Sequence, residues 1–127
     1  MEFASLNFYN YKCEIIRIVD GDTVVVDIDL GCGVWMRGEH CRLYGIDAPE
    51  KRGETRLKGF EAGMHQHVLI ERYRKSPGIF IETYKDERGK FGRFLVDLKV
   101  KPEQGDVFSI NETMVKDGYA IHYGEKK

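Results

Sequence analysis

Alternation of hydrophobic and polar positions predicts two β-strands in the first third of the chain. Residues 11–19 are rich in β-branched and aromatic side chains. Residues 22–30 alternate strictly, and one face of the second strand would carry Val24, Val26, Ile28 and Leu30. Asp20-Gly21 lies between the two segments, and glycine adopts positive φ readily, so we expect a tight hairpin turn there.

A third strand is predicted over residues 34–46, bent or bulged near Gly38. Its end is set by Pro49, which has no N–H to donate to a strand ladder. A charged loop over residues 51–56 follows, and apolar side chains then recur at spacings of three to five as far as residue 74. They predict an amphipathic helix, ended by Ser76-Pro77-Gly78, whose apolar side carries Leu57, Phe60, Met64, Val68 and Tyr73.

Two more strands and a short helix complete the predicted order of elements. The strands cover residues 79–84 and 94–100, on either side of a polar turn over residues 85–92. Ser109 and Glu112 have the spacing of a capping box, and Gly118 is suited to end the helix that they begin. The pattern therefore favours an α+β fold, a five-stranded OB-fold β-barrel with a helix between strands 3 and 4 and a short C-terminal helix, over other small α+β arrangements.

Length and composition narrow the class of protein. A chain of 127 residues with 42% hydrophobic residues can fill one core, so we expect a single domain over residues 1–127 with its core at about 11–123. No apolar run is long enough for a membrane span. Acidic residues outnumber basic ones by nine to four in residues 1–50, and basic outnumber acidic by 13 to seven in residues 51–101. That asymmetry is compatible with a cation site beside an anion-binding surface.

Three cysteines, without CxxC spacing, argue against a disulfide framework and a zinc site. Reduced thiols fit best. The N-terminal residues show no basic region followed by an apolar one, so we expect a cytoplasmic protein, or a secreted one if the N-terminus has been processed.

Carboxylates at two predicted turns are the first candidates for chemistry. Asp22 is in phase with the inward-facing positions of its strand, where an unpartnered charge is costly, so it should pair with a base or bind a metal. Asp47 and Glu50 bracket Ala48-Pro49, a rigid turn that can hold two carboxylates and a carbonyl near one point. Such hard oxygen ligands suit Ca²⁺ or Mg²⁺.

Two arginines are the second candidates. Arg42 precedes Asp47 on the third strand, and Arg93 starts another strand. A pair of guanidinium groups can clamp a phosphate bidentately, but these residues would equally form a surface network of ion pairs.

The motifs of this chain, in their order and spacing, resemble those of the staphylococcal (micrococcal) nuclease family. The similarity rests on DGDTV at 20–24, RLYGIDAPE at 42–50, KFGR at 90–93 and INETMVKDGYA at 110–120. It implies a Ca²⁺-dependent, sugar-nonspecific nuclease that hydrolyses phosphodiester bonds of DNA and RNA, preferably single-stranded or locally unpaired, and leaves 3′-phosphate ends. The alternative is a catalytically inactive OB-fold module that only binds nucleic acid.

The resemblance also implies a role for each site residue. Asp22 and Asp47, with the carbonyl of Ala48, would bind the metal. Asp20 would contact these ligands and not the metal itself. The catalytic residues would be Glu50, which positions or deprotonates water, and Arg42 and Arg93, which stabilise charge on the phosphate. Substrate contacts would come from Lys51, Arg52, Lys90 and Phe91, where Phe91 replaces the usual tyrosine. We expect a monomer or a weak homo-oligomer.

Overall fold

The computed structural model of the protein describes residues 8–75, 78–84 and 93–123. The predicted turn over 85–92 and the helix stop at 76–77 therefore lie outside the described residues. The elements in chain order are β1 (Asn10–Asp20), β2 (Thr23–Gly31), β3 (Val34–Leu43), β4 (Ile46–Asp47), a 3₁₀ turn (Gly53–Thr55), α1 (Arg56–Tyr73), β5 (Gly78–Tyr84), β6 (Phe94–Lys101), β7 (Phe108–Ser109), α2 (Ile110–Lys116) and β8 (Ile121–His122).

Five long strands close into a barrel, which confirms the predicted OB-fold. Their order is β3-β2-β1-β5-β6, and a parallel pairing of β3 with β6 joins the two edges. The helix α1 connects the third and fourth of these strands, and α2 follows the fifth. Inward-facing residues of alternate positions fill the core, among them Val24, Val26, Leu43, Val96 and Leu98. In the part of the chain that the structure describes, no helix is long and apolar enough to cross a membrane.

The bulge predicted in β3 is confirmed. The register between β2 and β3 shifts between Val26 and Ile28, and Gly38 has a φ of 65°. Asp27 anchors the bulge, because its carboxylate accepts hydrogen bonds from the Gly38 N–H at 2.8 Å and the Arg37 guanidinium at 3.0 Å. These bonds, the one from Gly38 first, hold the pKa of Asp27 below its ordinary value.

Two expectations about the first hairpins are wrong. β3 ends at Leu43 instead of residue 46, because Gly45 takes a φ of 80° and turns the chain into the separate strand β4. Leu30 does not join the core and is 41% exposed, because it lies at the end of β2, where the barrel opens.

The predicted apolar side of α1 is also the wrong side. Leu57, Phe60, Met64 and Val68 are exposed, and only Tyr73 of that set packs against the core. The helix instead buries its opposite side, which carries Gly59, Ala62, Gln66, Leu69 and Ile70. Small residues on the buried side let the helix backbone approach the barrel closely, so the larger apolar side chains face outward.

The second helix follows the prediction. The Ser109 hydroxyl caps α2 by accepting the Glu112 N–H at 3.1 Å, and Gly118, with a φ of 87°, ends the helix. Asn111 ties α2 to the barrel. Its side-chain oxygen accepts the Leu98 N–H at 3.2 Å, and its amide nitrogen donates to the carbonyls of Tyr44 and Val96, each at 3.0 Å.

Candidate nuclease site

The turn between β1 and β2 is pressed against α1 and the segment after β4. A Cβ on Gly21 would lie 2.8 Å from the Cβ of Ala62 and 2.9 Å from the Cβ of Ala48. Real Cβ atoms do not approach that closely, so only glycine fits. Gly21 is not among the glycines with positive φ, so close packing, and not the predicted left-handed turn, accounts for this glycine.

The buried carboxylate of Asp22 projects from this turn and has partners, as expected. One carboxylate oxygen accepts the Ala48 N–H at 3.0 Å, and the other accepts the Thr23 hydroxyl at 3.1 Å. The Asp22 backbone carbonyl accepts the Leu43 N–H at 2.8 Å, which fixes the turn to the end of β3. Asp22 therefore joins the two chain segments that carry the other candidate residues.

Arg42 lies at the centre of the site. Its guanidinium nitrogen Nη2 is 3.2 Å from Asp47 and 3.7 Å from Asp22, and Nη1 donates to the carbonyl of Ile46 at 3.2 Å. The guanidinium also lies over the ring of Tyr123, 4.9 Å from its centroid, in a cation–π contact. With 18% of its side chain exposed, Arg42 is held in one orientation and is not part of a loose surface network.

The neighbouring carboxyl groups repel one another. Burial raises the pKa of Asp47, and the hydrogen bond and charge of Asp22 and the charge of Glu50 raise it further, against the lowering effect of Arg42. Burial, Asp22 and Glu50 likewise raise the pKa of Asp20. Four acidic side chains thus share one negative field, which a bound cation would relieve.

Glu50 is exposed on a loop whose backbone is fixed at both ends. Its carbonyl accepts the Thr55 hydroxyl at 2.7 Å, and Ala48 is held by Asp22. Gly59 of α1 packs against the same carbonyl, because a Cβ there would lie 2.4 Å from the Glu50 oxygen. The loop therefore carries an exposed carboxylate on an anchored backbone.

The predicted substrate contacts divide between described and undescribed residues. Lys51 and Arg52 follow Glu50 on the same loop, and their charges lower the pKa of Asp20, so they adjoin the acidic cluster. The Lys51 ammonium lies 5.4 Å from the ring centroid of Phe60. Lys90 and Phe91 lie outside the described residues.

Arg93 immediately precedes β6, the strand that closes the barrel. β6 runs parallel to β3, and Arg42 pairs with Leu95. Leu95 and the half-buried Arg93 are two residues apart, a spacing that puts the side chains of an extended chain on one face. The predicted arginines therefore lie on neighbouring chain segments, Arg42 within β3 and Arg93 just before the strand that pairs with β3.

The donor set at this site suits a hard cation. Asp22 and Asp47 both lie beside the Arg42 guanidinium, and carboxylate oxygens are the ligands that Ca²⁺ prefers. Across residues 8–75, 78–84 and 93–123 there is no group of three acidic, histidine or cysteine side chains arranged to hold a metal.

Sequence comparison connects this geometry with known proteins. The sequence model described as "Staphylococcal nuclease homologue" matches residues 40–127, more than half of the chain. The chain belongs to the staphylococcal nuclease family. It is similar to the thermonuclease of Staphylococcus hyicus, with 27% identity over 118 residues, which cover 92% of this chain and 61% of that protein. It is also similar to protein ParB of Escherichia coli, with 32% identity over 126 residues, covering 94% and 62%.

This member of the staphylococcal nuclease family spans about three fifths of the length of these curated relatives. The family match starts within β3, so it contains Arg42, Asp47, Glu50 and Arg93 but not the turn that carries Asp22. Membership supports a nuclease or nucleic-acid-binding function for the domain.

Sequence reasoning missed two aromatic features of the site. Tyr123 contacts Arg42 because β8 pairs with β4 and the Tyr123 N–H donates to the Gly45 carbonyl at 2.9 Å. Tyr44, two residues after Arg42, stacks on Tyr84 with ring centroids 4.0 Å apart. Neither contact has a local sequence signal, since each joins residues that are distant along the chain.

Proposed function

We propose that this chain is a Ca²⁺-dependent phosphodiesterase that cleaves DNA and RNA and leaves 3′-phosphate ends. The observation that carries the proposal is the position of Arg42. Its guanidinium is held between the carboxylates of Asp22 and Asp47, at the edge of a loop that carries an exposed Glu50. This arrangement supports the proposal, because an anion-binding group, a pair of cation ligands and a base would then lie close to one another.

Two carboxylates would hold the metal, and the arginines would hold the phosphate. Asp22 and Asp47, helped by the Ala48 carbonyl, are the ligands available to Ca²⁺. The bound ion would supply positive charge that polarises the scissile phosphate. Arg42 and Arg93 would donate hydrogen bonds to the phosphate oxygens, which become more negative in the transition state.

Glu50 would supply the proton transfer. Its carboxylate would accept a proton from water as the water oxygen bonds to phosphorus and the bond from phosphorus to the 5′ oxygen breaks. The leaving 5′ oxygen would take up a proton from a solvent water and become a hydroxyl, and the proton held by Glu50 would return to solvent. The phosphate would stay on the 3′ side. Arg93 would stabilise charge on that oxygen without giving up its proton, because a guanidinium group stays protonated in proteins.

Single-stranded or locally unpaired DNA and RNA are the proposed substrates, and Lys51 and Arg52 on the loop after Glu50 would contact backbone phosphates. Lys90 and Phe91 are proposed contacts on sequence grounds alone.

Cleavage of plasmid DNA and of RNA with Ca²⁺, with Mg²⁺ and with a chelator tests the metal. We expect cleavage with Ca²⁺ and much less with Mg²⁺, because two carboxylates completed by water form an irregular shell that Ca²⁺ accepts and Mg²⁺ does not. Equal or faster cleavage with Mg²⁺ would contradict the proposed metal.

The substitution Glu50→Gln tests whether Glu50 accepts the proton from water. Glu50→Gln should reduce the cleavage rate by about 10²–10⁴-fold and leave oligonucleotide binding intact. Glu54→Gln, an exposed glutamate in the adjacent 3₁₀ turn, is the matched control and should cleave normally. If the parent protein binds oligonucleotide but cleaves nothing, the inactive binding module is the correct function. If Glu50→Gln cleaves as fast as the parent, Glu50 is not the base.

A second substitution tests whether Arg42 acts through its guanidinium group or through its charge alone. Arg42→Lys keeps the charge but loses the forked guanidinium, whose Nη2 contacts Asp47 and whose Nη1 contacts the Ile46 carbonyl, so the rate should fall by about 10²-fold or more. Arg37→Lys on the same strand is the control, because Arg37 pairs only with Asp27 among the described ion pairs. Normal activity in Arg42→Lys would show that net charge alone suffices.

A further inference from the structure

A groove of about 490 Å³ lies between β1 and α1. Its volume falls within the range of about 300–1,000 Å³ that is usual for sites of small ligands. One end is lined by Lys51, which follows Glu50 on the loop, and by Phe60. At the other end the Arg74 guanidinium donates to the Ile15 carbonyl at 3.0 Å. The groove therefore starts at the Glu50 loop and follows α1 for about 20 Å, at 1.5 Å per residue.

A bulge in β1 brings two consecutive side chains to this groove. The register between β1 and β2 shifts between Ile15 and Arg17, which breaks the alternation of inward and outward positions. Ile16 and Arg17 are therefore both exposed, and both line the groove. The bulge thus sets an apolar side chain and a cation next to each other on the β1 wall.

The α1 wall presents an aromatic ring that is accompanied by two cations. Phe60 is 47% exposed, and Met64 one turn later is exposed beside it. The Lys51 ammonium lies 5.4 Å and the Arg56 guanidinium 5.7 Å from the centroid of the Phe60 ring. Both walls therefore combine an apolar surface with positive charge.

Positive charge exceeds negative charge among the described residues that line the groove. Arg17, Lys51 and Arg74 are its basic side chains, and Glu71 is its acidic one. Glu71 is already paired with Arg74 at 3.2 Å. Arg17 and Lys51 thus have no acidic counterpart among the described side chains of the groove, so a ligand with an apolar ring and a negative charge is complementary to it.

We propose that this groove binds the substrate strand beyond the scissile bond, with one nucleobase stacked on Phe60 and a backbone phosphate held by Arg17 and Lys51. This binding mode rests on the proposed nuclease function, because the groove adjoins the loop that carries Glu50. Proteins that hold single strands combine a positively charged groove for the backbone with aromatic rings on which bases of any sequence stack.

The same geometry selects unpaired strands. A base reaches the face of the Phe60 ring only when it has left its own stack, and unstacking a paired base costs free energy that an already single strand does not spend. The groove therefore gives the proposed preference for single-stranded or locally unpaired substrates a structural cause.

Fluorescence anisotropy of a labelled single-stranded DNA oligonucleotide, in chelator to prevent cleavage, tests the base contact. Phe60→Ala should weaken binding about 5–150-fold, the effect of losing one stacked base. Phe60→Tyr should bind like the parent, and Phe60→Leu should bind as weakly as Phe60→Ala, because leucine is apolar but has no ring. Leu57→Ala is the matched control, since Leu57 is 72% exposed on the same helix and does not line the described part of the groove.

Salt dependence of the same binding tests the phosphate contact. Arg17→Gln should lower the slope of the logarithm of affinity against the logarithm of salt concentration by about 0.7, because one phosphate contact is lost. Arg72→Gln is the control, because Arg72 is an exposed arginine of α1 outside the set of described residues that line the groove. Circular dichroism of each variant confirms that it is folded.

Equal binding by the parent and Phe60→Ala would overturn the base contact, as would equal losses for a single strand and a duplex. An unchanged salt slope in Arg17→Gln would overturn the phosphate contact. Binding to anionic vesicles that Phe60→Ala abolishes, with oligonucleotide binding intact, would assign the groove to a lipid surface instead.

The nuclease proposal fails or stands on a different result. If the parent cleaves and Phe60→Ala binds oligonucleotide as tightly as the parent, the nuclease stands and the groove does not bind substrate. If the parent binds oligonucleotide through Phe60 but cleaves nothing with any metal, the groove stands and the nuclease proposal is wrong.

Discussion

Two glycines in α1 should respond oppositely to the same substitution. Gly59 faces the loop that carries Glu50, and a Cβ there would lie 2.4 Å from the Glu50 carbonyl oxygen and 2.6 Å from the Lys51 nitrogen. Gly63 lies one turn later, and a Cβ there meets nothing within 4 Å among the described atoms. Comparing Gly59→Ala with Gly63→Ala therefore isolates the contact between helix and loop from the helix propensity of alanine.

The magnitudes follow from these distances. Alanine in place of glycine stabilises a helix interior by about 1 kcal/mol, so Gly63→Ala should raise the free energy of unfolding by about 0.5–1 kcal/mol. Gly59→Ala has the same gain, but the loop backbone must move by about 1 Å, and overpacking of this kind costs about 1–3 kcal/mol. We expect the two variants to differ by about 1–3 kcal/mol, with Gly59→Ala the less stable.

Urea unfolding followed by circular dichroism at low micromolar concentration measures the stability difference. Cleavage assays provide a second readout, because a shift of about 1 Å in a catalytic group can cost about 10²-fold in rate. Gly59→Ala should therefore lose activity under conditions where it is fully folded, and Gly63→Ala should not. Equal stabilisation of both variants would refute the close contact between α1 and the Glu50 loop.

Three further substitutions or modifications test the core. Gln66 is fully buried, and its side-chain nitrogen and oxygen have no hydrogen-bond partner among the described residues. Gln66→Met should therefore stabilise the protein by about 1–2 kcal/mol in urea unfolding. A loss of stability would show that the amide group does have hydrogen-bond partners. Asn111→Ala removes three buried hydrogen bonds and should cost about 2–4 kcal/mol, and a cost below about 1 kcal/mol would contradict that role. Burial raises the pKa of Cys13 and of Cys41 to about 12, so both stay protonated at pH 8, and a thiol reagent should modify only the exposed Cys32 in the native protein. In the unfolded chain these two thiols have a pKa of 9.0, so above pH 9 they lose protons that the folded protein still holds. The free energy of unfolding should therefore fall as the pH rises from about 9 towards 12. A free energy of unfolding that does not change over this range would contradict the raised pKa of the two thiols.

Much of the site could be predicted because its residues are close together in the chain. Asp47, Ala48 and Glu50 fall within one tight segment after a strand, and Arg42 precedes them by five residues, so local geometry brings them together wherever the barrel folds. The turn at Asp22 was predicted to need a partner because a carboxylate at an inward position cannot stay unpaired. The structure supplies those partners from Ala48, Thr23 and Arg42.

The side of α1 that enters the core could not be predicted from periodicity. Both sides of the helix have residues that recur with a helical period: the exposed side carries only large apolar residues, and the buried side combines Gly59 and Ala62 with Leu69 and Ile70. Distance to the barrel decides between them. Gly21 and the Glu50 loop lie so close to the helix that only Gly59 and Ala62 fit there, and this tight approach exists only in the folded protein.

The sequence by itself determined the order of the five long strands and the two helices, the ends of α2, the bulge at Gly38 and the set of charged residues available for chemistry. Each of these depends on side-chain period, backbone freedom or the cost of burying a charge, and all three act within a few residues. The tertiary structure alone decided that β3 and β6 pair, that the Tyr123 ring lies against Arg42 and that the side of α1 with Leu57 faces solvent. These features depend on closure of the barrel, which brings together segments separated by tens of residues and presses α1 so closely against the Gly21 turn and the Glu50 loop that only Gly59 and Ala62 fit there.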